Sequence, residues 1–374
     1  TTIYTYLKTR LGNRSYKTGA AFFLLSKMAS AAVRFYVVCM ILQQFVLDKY
    51  AIPFPITVVV LVALIWLYTR RGGIRTLVLT DTFQTLCMLL ALLLIIYKVV
   101  DVLGLNLPQA VQAIAADSHS RIFVLDDWVS TQNFWKQFLS GIFIVIVMTG
   151  LDQDMMQKNL TCKTLREAQK DMCSYGFAFA PVNLLFLALG ILLMMYYQRV
   201  GQALPAVSDD LMLQVIAGGQ LGTWVVILFT IGIVAACFSS ADSALTALTT
   251  TFCVDICNQR KDERLRKWSH LGVSVVFVLF ILIFRYVNST SLIDAVYTIV
   301  SYTYGPLLGL FAFGFSTKRK VNDRYVPFIA IASPLLCFAL DMIVSNATGY
   351  KFGYELLMLN GLLTYVGLWL NKAH

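Results

Sequence analysis

The chain has 374 residues, of which 58% are hydrophobic and only 13% charged, too little polar surface to cover a water-soluble core of that size. A formal charge of +10 suggests a nucleic-acid partner until the basic residues are mapped; they fall in short clusters between apolar runs, the pattern of membrane topology, and nucleic acid is not an expected partner. The eight cysteines form no CxxC pair and stand apart from the three histidines, so neither a disulfide framework nor a zinc site is expected.

The chain opens on a mixed polar stretch, Thr1 to Lys17, without a cleavable signal peptide. Apolar runs close to the about 20 residues that a bilayer requires then follow at approximately 18–47, 53–69, 76–100, 134–157, 172–197, 221–250, 268–287, 292–316, 325–345 and 352–371. Gly, Pro and Asp between them supply helix ends. The expectation is an all-α, polytopic membrane protein of about ten transmembrane helices in the lipid bilayer, one domain over 1–374. The longer stretches at about 101–133 and 198–220 are predicted to carry short surface helices.

Alternate connections hold the basic clusters: Lys8, Arg10, Arg14 and Lys17; Arg70, Arg71 and Arg75; Lys158, Lys163, Arg166 and Lys170; Arg260 to Lys267; Lys318 to Arg324; and Lys372. The opposite side has single lysines and arginines such as Lys49, Lys98 and Arg199. By the positive-inside rule the first set is cytoplasmic. Both termini of the chain then face the cytoplasm across a cell membrane, expected to be a bacterial inner membrane.

Several polar residues inside the apolar runs are candidates for chemistry. Lys27 and Arg34 are seven apart and share a helix face. Arg34 lies roughly 24 Å into a helix starting near residue 18, too deep to snorkel easily. It is either a fixed positive charge that anchors a carboxylate or other anion, or one half of a structural ion pair. Lys27, nearer the inner surface, is expected to snorkel. In Met148-Thr149-Gly150-Leu151-Asp152-Gln153 a glycine precedes two hydrogen-bonding side chains. A helix broken there would free backbone groups beside a polar cavity; the other reading is a helix end with solvated Asp152, Gln153 and Asp154. Ser239 and Ser240 are adjacent, and the carbonyl of Ala236 lies one turn before Ser240, so one patch of helix presents three hard oxygens. Serines at such positions also serve close packing or bond back along their own helix. Tyr302 and Thr303, before Gly305-Pro306, are further pocket candidates. No Walker motif and no hydrolytic or redox constellation is visible, so an enzyme is not expected, nor an organic cofactor.

Specific strings then matter. Arg71-Gly-Gly-Ile-Arg-Thr-Leu-Val-Leu-Thr-Asp-Thr-Phe-Gln84, Asp152-Gln-Asp-Met-Met-Gln-Lys-Asn-Leu160, Ala235-Ala-Cys-Phe-Ser-Ser-Ala-Asp-Ser243 and Gly305-Pro-Leu-Leu-Gly-Leu-Phe311 resemble, in this order, signatures of the sodium:solute symporter family. The opening Thr1-Thr-Ile-Tyr-Thr-Tyr-Leu-Lys-Thr-Arg-Leu-Gly12 resembles the cytoplasmic stretch after that family's third helix. The resemblance implies a partial LeuT-type fold of inverted repeats, with the remainder of the first repeat at about 18–103, the second at about 134–316 and peripheral helices at about 325–371. It implies that a first broken helix, a contributor to substrate and sodium sites, precedes Thr1, and that this chain alone, as a fragment or truncated product, does not transport.

The function so implied is sodium-coupled secondary transport of a small organic solute by alternating access, with Na+ as coupling ion; Arg34 tilts the solute towards an anion. A symporter-like sensory module is the alternative. The resemblance assigns Ala236, Ser239 and Ser240 to a sodium site, with Ser239 and Ser240 as side-chain metal ligands. It allows a second sodium site from Asp81, Ser239, Asp242 and Ser243, altered because Asp242 stands where such members have serine. The other reading pairs Asp81, near a helix start, with Arg75. Substrate-binding candidates are Arg34, Met148, Thr149, Gln153 and Tyr302. Sugar-carrying members have an aromatic pair at the positions of Met148 and Thr149, so a stacked hexose is not expected.

Overall fold

The structure, a computed structural model, describes residues 2–69, 74–204, 221–259, 262–287, 292–350 and 352–372, with isolated positions between 205 and 220 and the backbone alone at 45–46, 68, 74–80, 237, 287 and 292–293. In chain order the helices are α1 (Thr5–Arg10), α2 (Asn13–Leu42), α3 (Phe54–Thr69), α4 (Ile74–Val102), α5 (Leu107–Ala116), α6 (Phe134–Val145), α7 (Gln153–Asn159), α8 (Leu165–Val200), α9 (Thr223–Thr251), α10 (Glu263–Val287), α11 (Leu292–Ser316), α12 (Val326–Thr348) and α13 (Leu356–Leu370).

Among the described residues seven helices are long and apolar enough to cross a bilayer, and the bent pair α6–α7 makes an eighth. The two shorter apolar helices, Phe54–Leu67 and Leu356–Leu370, occupy the remaining two expected segments. The chain is therefore an all-α polytopic membrane protein. Its spans carry large apolar side chains outward, such as Phe177, Leu187 and Phe328, as contact with lipid requires. Between α4 and α6 the expected surface helix is α5, started by an Asn106–Gln109 capping box. Most of the second such stretch, 198–220, lies outside the described residues. The seven described cysteines are free.

α2 is the axis of the bundle and packs against α3, α9, α10 and α11. It can do so because small residues recur along it, including Ser26, Ser30, Ala31 and Ala32, all buried. Its first turn is capped from elsewhere in the chain: Arg14 N–H and Ser15 N–H donate to the carboxylate of Asp323 at 2.7 and 2.8 Å. The negative charge meets the positive end of the helix dipole. Gly12 makes this possible, with φ +143° and a position where a Cβ would lie 2.4 Å from Asp323.

α11 and α13 cross closely through Gly305, Gly309 and Gly361. Pro306 lacks the N–H that would bond the Tyr302 carbonyl, and the fully buried Asn360 replaces it, donating Nδ2–H to the carbonyls of Ser301 and Tyr302 at 3.0 and 2.9 Å.

Candidate functional site

The fourth span is broken where Gly150 precedes Leu151 and Asp152. α6 ends in a π-helical turn, Ile146–Gly150, and α7 leaves at 63° to it. Asp152 has extended backbone and caps α7, accepting the N–H of Asp154 at 2.8 Å. The carbonyl of Leu151, freed by the break, accepts Tyr4 Oη–H at 2.9 Å. Burial pushes the Tyr4 phenol well above its usual value, helped by the charges of Asp152 and Asp255, so it remains a donor at neutral pH. Gln153, 1% exposed, accepts the N–H of Ile3 at 3.0 Å.

Asp152 and Gln153 are thus buried, contrary to a solvated helix end. Lys27 is also buried, at 3% exposure, rather than reaching for the surface. Its ammonium lies 3.0 Å from Asp152 and 2.8 Å from Asp154, and Tyr304 Oη–H donates to Asp152 at 2.8 Å. A charge this far from water needs partners, and two carboxylates at a helix break supply them.

Arg34 sits two turns further along α2, about 10.5 Å by helical rise. It is exposed in this chain and its Nε donates to the carbonyl of Ser30 at 3.3 Å. No carboxylate among the described residues makes an ion pair with it. Met148 and Thr149 lie in the π-helical turn, both half-buried, with Met148 packed on the core that contains Tyr4 and Tyr304. Tyr302 does not join this group. Two residues along a helix from Tyr304 turn it to the other side, where its hydroxyl meets Asp341 at 3.4 Å and its ring packs on Phe338 of α12.

α9 runs past the break and packs on α4, α2 and α7. Ser239 donates its hydroxyl proton to Asp81, leaving its lone pairs free to ligate; Ser240 is exposed and Ala236 half-buried. This set of neutral oxygens fits a hard monovalent cation. Asp81 lies two turns inside α4 rather than at its start, and pairs with Lys158 of α7 at 3.0 Å. The side chain of Arg75, its expected partner, lies outside the described residues.

Asp242 and Ser243 are buried at 1% and 5% exposure, on the same helix as Ser239. Of the four residues named for a second sodium site, Asp81 and Ser239 are hydrogen-bonded to each other.

Sequence reading missed Lys27, Asp154, Tyr304 and Lys158 as members of these groups. The Lys27–Arg34 spacing was the one available signal, since the acidic partners lie on a different span.

The sodium:solute symporter family profile matches residues 1–325. The sodium/sialic acid symporter SiaT of Proteus mirabilis is 25% identical over 344 residues, covering 85% of this chain and 66% of that protein. The sodium/sialic acid symporter NanT of Aliivibrio fischeri is 25% identical over 363 residues, covering 90% and 68%. The chain thus spans about two thirds of the length of these relatives. A solved structure of a Na+-coupled sialic acid symporter, substrate-bound and outward-open, superposes with TM-score 0.79 at 19% identity over 99% of this chain and 76% of its own, a likeness of fold.

Proposed function

The chain belongs to the sodium:solute symporter family, and on that premise we propose that its protein couples Na+ entry to uptake of a small anionic organic solute by alternating access. The carbonyl of Ala236 and the hydroxyls of Ser239 and Ser240 form this chain's share of the Na+ site. Ser239 is oriented for it by Asp81, whose carboxylate accepts the hydrogen bond of the Ser239 hydroxyl and leaves its lone pairs free. The observation that carries the anionic reading is Arg34, a guanidinium with no ion-pair partner among the described residues, on the α2 face that also holds Lys27 against the helix break.

Lys27 cannot serve as the anion anchor, because Asp152 and Asp154 already satisfy its charge. Among the described residues Arg34 donates only to the Ser30 carbonyl, which leaves its other donors for a carboxylate. The two sialic acid symporters are named for a carboxylate solute, which agrees with this assignment. Met148, Thr149 and Gln153 stand at or beside the break and contribute shape and polarity to the solute path. We assign about 18–103 to the first repeat, about 134–316 to the second and about 325–371 to the periphery. The basic connections face the cytoplasm of the cell membrane.

A melting screen of the full-length protein tests the solute class. Carboxylated solutes, sialate among them, are expected to raise the melting temperature in Na+ but not in K+. Stabilisation by neutral sugars alone would refute the Arg34 assignment.

A further inference from the structure

The connection between α11 and α12 gathers a basic surface from two distant parts of the chain. Val321 and Lys372 form an antiparallel bridge, and Asn371 donates Nδ2–H to the Asn322 carbonyl at 2.8 Å. The residues after α13 thereby lie along the connection, and Lys372 joins Lys318, Arg319, Lys320 and Arg324. Arg319 is half-buried and the other four side chains are exposed; among the described residues none of them makes an ion pair. The one acid of the connection, Asp323, is turned to α2, where it accepts the Arg14 and Ser15 N–H groups and the Ser15 hydroxyl. Other basic connections carry acids among their cations, Glu167 and Asp171 beside Arg166 and Lys170, and Asp262 and Glu263 beside Arg264.

Apolar surface continues directly from these cations. The Arg319 guanidinium lies 4.8 Å from the centroid of the half-exposed Trp369 ring. Gly367 packs so closely on Ile329 that a Cβ there would lie 2.6 Å from its Cγ2, which sets the last turn of α13 against the first turn of α12. Both turns leave large side chains outward, Leu370 at 69% and Phe328 at 67% exposure. These helix ends lie where hydrocarbon gives way to headgroups.

We propose that this surface docks one anionic phospholipid of the surrounding leaflet, its phosphate held by Arg319 and flanked by the lysines. A guanidinium keeps its fork for phosphate oxygens while its face rests on the indole. The acyl chains then run along Trp369, Leu370 and Phe328, an order of charge followed by hydrocarbon that a soluble anion cannot match. The site needs a bilayer but not sodium coupling, so it stands or falls apart from the symport reading.

Native mass spectrometry of the purified full-length protein, titrated in detergent with phosphatidylglycerol or with phosphatidylcholine of the same acyl chains, tests this. One phosphatidylglycerol is expected to bind at least about tenfold more tightly than phosphatidylcholine. Arg319→Gln should cost phosphatidylglycerol about fivefold, and adding Lys318→Gln, Lys320→Gln and Lys372→Gln should abolish the preference. Lys163→Gln with Lys170→Gln, exposed cations of another connection, should leave it unchanged. Equal affinity of the unaltered protein for the two lipids overturns the inference, as does a preference that survives the four substitutions in a protein of unaltered melting temperature. A loss just as large in the Lys163 and Lys170 variant would show diffuse surface charge rather than a site, and also overturns it. Displacement of the lipid by glycerol phosphate, which has the charge without the chains, would assign the surface to a soluble anion instead.

Discussion

Lys27→Met is expected to destabilise the protein by about 3–5 kcal/mol, the usual consequence of stranding buried charges. The ammonium is 4% exposed and touches two carboxylates that have no other cation within ion-pair distance among the described residues. Removing it leaves Asp152 with the Tyr304 hydroxyl and the Asp154 N–H, which stabilise one negative charge but not two neighbouring ones. Adding Asp152→Asn and Asp154→Asn should restore a large part of the loss, because neutral amides need no counter-charge. Chemical denaturation in detergent measures both effects. A single variant as stable as its parent would show that the pair does not hold α2 to the helix break.

Arg34→Ala should have the opposite profile, with little change in stability and loss of solute binding. Arg34 is exposed in this chain and among the described residues donates only to the Ser30 carbonyl of its own helix, so truncation breaks no hydrogen bond or ion pair between helices there. A carboxylate held by two charge-assisted bonds would lose about 3 kcal/mol or more, hence about 100-fold or more in Kd. Arg34→Lys keeps the charge but not the fork, and is expected to fall between. Equal solute affinity in Arg34→Ala and the parent would remove Arg34 from the site.

The spans were legible because apolar runs of bilayer length leave few alternatives. The break at Gly150 was legible too, since a glycine ahead of Asp152 and Gln153 both loosens the helix and supplies a cap for its continuation. What could not be read was pairing across the bundle. Lys27 and Asp152 are 125 positions apart and Lys158 and Asp81 are 77 apart. Nothing local distinguishes a lysine that snorkels from one that finds two carboxylates. Asp81 was placed near a helix start because the apolar run begins at about residue 76, whereas α4 begins at Ile74, within the polar signature string. Tyr302 is a candidate by its place before Gly305-Pro306, but only the rotation of α11 against α2 and α12 decides that Tyr304, two residues on, faces the break.

Sodium coupling itself is tested most directly by uptake into proteoliposomes containing the full-length protein, with carboxylate solute outside and an inward Na+ gradient. Solute accumulation is expected with the Na+ gradient, absent with K+ in its place, and strongly reduced in Ser240→Ala at the same protein density. Accumulation that is unchanged when Na+ is removed, or unchanged in Ser240→Ala, would contradict the assignment of this chain to sodium-coupled transport through α9.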